Sequence, residues 1–144
     1  MARYFSRELV HEAVEAMNAD PAYLAAAKLL SGKFALRALD APDGKDVLVT
    51  YTFQAGKVTG WDYESEPSAA GTLRQRAFRP MKDGLARVTA AYATFVRLDR
   101  GEIDPADAIN SPDYKIEGPM LMLMPLMQAI DAWNRKVRGL PKEY

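Results

Sequence analysis

A chain of 144 residues, 49% of them hydrophobic and 26% charged, is long enough to bury one core without covalent staples. Its 19 basic and 19 acidic side chains cancel, so no overall charge draws it to nucleic acid or to an anionic membrane, and membrane contact is expected to be transient at most. With no cysteine and a single histidine it lacks a disulfide framework, a thiol nucleophile, a thiolate metal site and a multi-histidine site.

At the amino terminus Arg3, Arg7, Glu8, Glu12 and Glu15 interrupt every turn, leaving no apolar core of a secretory signal, and a cytoplasmic location is the expectation. Ser6 is placed to cap a helix over Arg7 to Asn18, where Leu9, Val10, Ala13, Val14 and Met17 recur at helical spacing. Asp20-Pro21 repeats the start signal for a second helix, ending at Ser31 before Gly32. From Phe34 the period becomes two. Phe34, Leu36 and Ala38 alternate, then Val47, Val49, Tyr51 and Phe53 after the Pro42-Asp43-Gly44 turn, then Lys57 to Tyr63 after Ala55-Gly56, which predicts a three-stranded meander. Glu64 to Gly71 reads as a loop and Thr72 to Arg79 as a polar edge strand.

Leu85, Val88, Tyr92, Phe95 and Val96 then fall on one helical face, predicting a helix over Asp83 to Leu98 closed by Gly101. Asp104-Pro105 starts a short helix to about Asn110, and Tyr114 to Glu117 alternates as a last strand. The final element, Pro119 to Arg138, begins with Met120-Leu121-Met122-Leu123-Met124-Pro125-Leu126-Met127, apolar on every side, and Pro125 is expected to kink or restart the helix. Such a run suits a buried core helix, a cavity wall that repacks around guests of different shape, or a contact between copies of the chain. The sum is one α+β domain over residues 1–144, with 1–32 a helical extension.

Groups able to do chemistry are few. His11 has Glu15 four positions on as a hydrogen-bond partner and no nucleophile at a readable spacing. Asp104 and Asp107 are best explained by a helix start, and Asp62, Glu64 and Glu66 by a solvated segment. Arg74, Arg76, Arg79 and Lys82 around Phe78 form the one local basic cluster, suited either to a charged sheet edge or to an anionic head group. Phosphate-loop, dinucleotide, serine-hydrolase and zinc-protease motifs are absent.

The stretch FVRLDRGEIDPADAINSPDYKIEGPMLMLMPLMQAI, Phe95 to Ile130, resembles the sterol carrier protein-2-like family, with Leu98, Gly101, Pro105, Ala108, Ile109, Ile116 and Gly118 matching in order. The upstream meander around Gly56-Lys57-Val58 is also similar, so the likeness spans about Phe34 to Ile130. Pro119 stands where the family has an acidic residue, and the chain ends without a peroxisomal Ser-Lys-Leu. The resemblance implies a five-stranded, mainly antiparallel sheet covered by helices and an apolar tunnel for fatty acid, acyl-CoA, phospholipid or sterol-like ligands. It implies no enzymatic activity and no cofactor. The expected lining combines Trp61, Phe78, Tyr92 and Phe95 with Met120, Leu121, Met124 and Met127. The alternative is an interaction or enzyme-accessory protein that forms a homodimer through the methionine-rich helix.

Overall fold

The computed structural model describes residues 1–144. Helix α1 (Arg7–Asn18) starts at Ser6, whose hydroxyl accepts from the Leu9 amide, and α2 (Pro21–Ala26) starts at Asp20, whose carboxylate accepts from the Ala22 and Tyr23 amides. These caps satisfy donors that a helix start leaves bare. The second helix ends at Ala26, and the chain turns through Ala27–Leu30 to reach the sheet.

Strands β1 (Gly32–Leu39), β2 (Lys45–Gln54) and β3 (Lys57–Pro67) form the antiparallel meander, with Phe34 opposite Tyr51 and Tyr51 opposite Trp61. The third strand runs four residues beyond Tyr63, into the stretch expected to loop. Two sequence expectations are then corrected together. Thr72–Arg79 is not a strand: Thr72–Gln75 forms a one-turn helix, α3, and the chain to Gly84 folds over the sheet. The fourth strand is β4 (Ala86–Ala91), and only Tyr92–Asp99 is helical, as α4. Both faces of β4 are covered, so Arg87 and Thr89 are buried on one side as Ala86, Val88 and Ala90 are covered on the other, and the short alternation has no solvent face to mark it.

Helix α5 (Pro105–Ile109) opens with a reciprocal capping box between Asp104 and Asp107, and β5 (Lys115–Glu117) follows. The sheet order is β3-β2-β1-β4-β5, with β1 and β4 parallel and every other pair antiparallel. The last element is broken in three: α6 (Met120–Leu123), a 3-10 turn over Met124–Leu126, and α7 (Met127–Arg138). Pro125 sits in that turn, where it has no amide to leave unbonded.

The two faces of the sheet differ. One bears Phe34, Leu36, Val49, Tyr51, Phe53 and Val88, and packs against α1, α2, α4 and α7 as the core. The other bears Ala35, Leu48, Arg37, Arg87 and Thr89, and is covered by Leu73 and the segment that follows it.

Candidate functional site

Between the core face of the sheet and helices α1, α4 and α7 lies a cavity of about 160 Å³, lined by 18 residues of which 14 are hydrophobic. Tyr51, Leu36 and Val88 form its floor, Phe95 and Trp133 its walls, and Tyr4 and Phe5 close it from the amino-terminal side. Aromatic packing sets its shape: Trp133 meets Tyr51 at 4.8 Å and Phe53 at 5.2 Å between ring centroids, and Phe5 meets Phe95 at 5.0 Å. Buried edge-to-face rings of this kind are stiff, so the void persists because the walls cannot collapse into it.

Burial pushes the hydroxyls of Tyr4 and Tyr51 well above the ordinary phenol range, and both stay neutral. The cavity is therefore without charge over most of its surface. One end is polar. Asp99, Asn134 and Arg138 line it there, and the Asp99 carboxylate accepts from Lys142 Nζ at 2.6 Å and from the Tyr144 hydroxyl. Asp99 and Lys142 have side chains only 3% and 2% exposed, so each neutralises the other out of water. Arg138 donates to the Leu98 carbonyl and forms no ion pair with a carboxylate.

A scan against protein-family models and a search of curated proteins each find no match to this chain. Solved structures do match. A crystal structure of sterol carrier protein 2 superposes with a TM-score of 0.75 at 20% identity, covering 96% of this chain and 100% of that one. The chain has the sterol carrier protein 2 fold. A conserved hypothetical protein of Thermus thermophilus, described as possibly a sterol carrier protein, matches with a TM-score of 0.74 at 20% identity over 99% of this chain and 93% of its own. Sterol carrier protein domain 2 of Helicoverpa armigera matches with a TM-score of 0.55 at 16% identity over 98% of this chain and 94% of its own.

Within this sterol carrier protein 2 fold the residues singled out by sequence are scattered. Phe95 lines the cavity. Trp61 is half-buried against the core, and Tyr92 is buried beside Tyr4 and Phe5 with its hydroxyl unpaired. Phe78 lies on the opposite face of the sheet, 5.3 Å from the Arg87 guanidinium. Met120, Leu121, Met124 and Met127 are exposed, Leu121 at 87%, and Leu123 is the one buried side chain of α6. Leu123 and Leu126 are the residues of the run that turn inward, and none of its side chains lines the cavity.

The cavity residues that sequence reading passed over include Tyr4, Phe5 and Trp133. Trp133 had a signal: Ala129, Ile130, Trp133 and Val137 recur at three- and four-residue spacing. Tyr4 and Phe5 had none, since they precede the first helix and are turned inward by a left-handed Phe5 with φ of 61°. The basic cluster is largely neutralised. Arg74 binds Asp46 and Asp40, Arg76 binds Glu64 at 2.6 Å, and Arg79 binds Asp83 at 3.1 Å. His11 Nε2 sits 3.2 Å from the Glu15 carboxylate on the exposed side of α1.

Proposed function

We propose that this protein binds and carries an apolar small molecule without transforming it. The observation that carries this reading is the largely apolar, aromatic-walled cavity between the sheet and the helices. A cavity of similar size, about 150 Å³, lined by aliphatic and aromatic side chains takes up benzene in water. At about 160 Å³ the void suits a ring or a short chain as it stands, and it is smaller than the roughly 300 Å³ at which ligand pockets usually begin.

A longer acyl tail needs more room than this void offers, and enters as the walls of the cavity part. Each methylene transferred from water then contributes about 0.8 kcal/mol, so packing alone reaches micromolar affinity before any polar contact is added. Arg138 at the polar end suits a carboxylate head, which makes a fatty acid a better candidate than a sterol.

The test is titration of purified protein with a fluorescent fatty acid, followed by displacement with unlabelled fatty acid and with the matching fatty alcohol. The reading expects saturable binding, competition by both, and a preference for the acid that Arg138→Gln removes. Absence of saturable binding, together with an organic extract of the protein that contains no lipid, would end it.

A further inference from the structure

We propose that the end of the sheet where β1 and β4 begin is a docking surface for an anionic phospholipid bilayer. Several backbone segments converge there closely enough to exclude side chains. A Cβ on Gly118 would stand 2.5 Å from the Leu85 carbonyl oxygen, and one on Gly56 would stand 2.7 Å from that of Ala27. Gly84 lies in the same way against Lys33, and Gly32 against Leu85.

From these converging segments project Leu29, Met81, Met120 and Leu121, which are 67%, 59%, 53% and 87% exposed. Met122, Met124 and Met127 continue the patch along the following turn and are also exposed. The same segments carry Lys28, Lys33, Lys57 and Lys82, all exposed, and none of the four has a carboxylate within ion-pair distance. The arginines of the segment leading to Met81 differ, since Arg74, Arg76 and Arg79 are all paired. Four unpaired lysines thus stand beside exposed apolar side chains at this end of the sheet.

Two features select a bilayer over a second copy of the chain. A two-fold contact through this surface would set the lysines of one copy against those of the other, whereas anionic head groups complement them. The apolar side chains of Met120–Met124 also point to different sides of a short helical turn. A flat protein partner covers one of those sides, but fluid hydrocarbon surrounds them all. The turn is ready for that solvent, because the Met122 and Leu123 amides already donate to the Pro119 carbonyl at 3.0 and 3.1 Å and the Met124 amide donates to Met120. Docking goes beyond cargo binding and does not require a guest in the cavity.

The experiment is sedimentation of the full chain with phosphatidylcholine vesicles, with and without phosphatidylserine. Binding is expected to the phosphatidylserine vesicles and to weaken with added salt. Lys33→Gln with Lys57→Gln should lower the affinity about fivefold per lysine, roughly 25-fold together. Leu121→Asp with Met124→Asp should lower it at least tenfold, with the thermal melt and fatty-probe binding unchanged. No binding to either vesicle, equal binding to both, or full binding by the double aspartate variant would overturn docking. So would a dimer in analytical ultracentrifugation that Leu121→Asp dissociates. Failure of fatty-probe binding alone would strike the carrier reading and leave docking standing.

Discussion

Replacing Trp133 by alanine tests the cavity through its best-packed wall. The side chain is 7% exposed and touches Tyr23, Tyr51 and Phe53 with ring centroids 6.2, 4.8 and 5.2 Å away. Deleting a buried aromatic costs about 3–5 kcal/mol, which joins lost transfer free energy to the cavity left behind. The void already beside it should place Trp133→Ala near the middle of that range, about 4 kcal/mol, since a pre-existing hollow leaves less to lose and the stiff neighbours leave little to collapse. At roughly 3 °C per kcal/mol for a domain of this size, the melting temperature falls by about 10–15 °C. Unlike a simple core defect, this one is refillable. A guest such as indole at about 100 times its dissociation constant should restore about 2.7 kcal/mol. Urea melts of both proteins, with and without indole, give the two numbers. A loss below about 1 kcal/mol, or an indole effect no larger for the variant than for the parent, would refute the reasoning.

Three further outcomes follow from the structure. Asp46 is fully buried; burial pushes its carboxyl up, but hydrogen bonds from Arg74, the Asp40 amide and Ser68 outweigh this and hold it below the ordinary range. Its contribution to stability is therefore present above about pH 4 and lost as pH falls through the lowered value, and Asp46→Ala should cost about 3 kcal/mol at about pH 7 in urea melts while flattening that acid limb. The Tyr23 hydroxyl donates to the Gly56 carbonyl at 3.0 Å, and burial pushes its pKa up to about 12. The folded state favours the neutral phenol, so stability is complete below about pH 10 and declines between about 10 and 12; Tyr23→Phe should cost about 1–3 kcal/mol at neutral pH and make that alkaline decline shallower. Gly118 has a φ of 153° and abuts the Leu85 carbonyl, so Gly118→Val should lower stability by about 2 kcal/mol or more and speed amide exchange at the β4–β5 pairing.

Local signals in the sequence were readable where a cap or an alternation stood alone. Ser6, Asp20 and Asp104 each start the helix expected of them, and the Phe34, Tyr51 and Phe53 alternation lies on the core face of the meander. β4 escaped because Ala91 passes directly into α4 at Tyr92 without a glycine or proline between them. Leu85, Val88, Tyr92 and Phe95 then recur at three- and four-residue intervals across a strand and a helix, which mimics one continuous helix. The segment before it looked like a charged edge for a related reason. Its carbonyls are bonded, but to the buried guanidinium of Arg37, which donates to Leu73 and Arg76, and not to a neighbouring strand. The methionine run misled differently: apolarity on every side implied apolar neighbours on every side, and the fold supplies them to Leu123 and Leu126 while the methionines stay exposed.

The parallel pairing of β1 with β4 also governs the order in which the molecule can be assembled. As the chain leaves the ribosome, residues 32–67 emerge and close their hairpins before residues 86–91 exist outside the exit channel. Until β4 arrives, one side of β1 is a row of unpaired amides flanked by Phe34 and Leu36, a ready template for a strand from a neighbouring nascent chain. Substitutions that slow the seating of β4, such as Val88→Gly, would accordingly show first in the insoluble fraction at high expression, ahead of any comparable fall in the melting temperature of the molecules that mature.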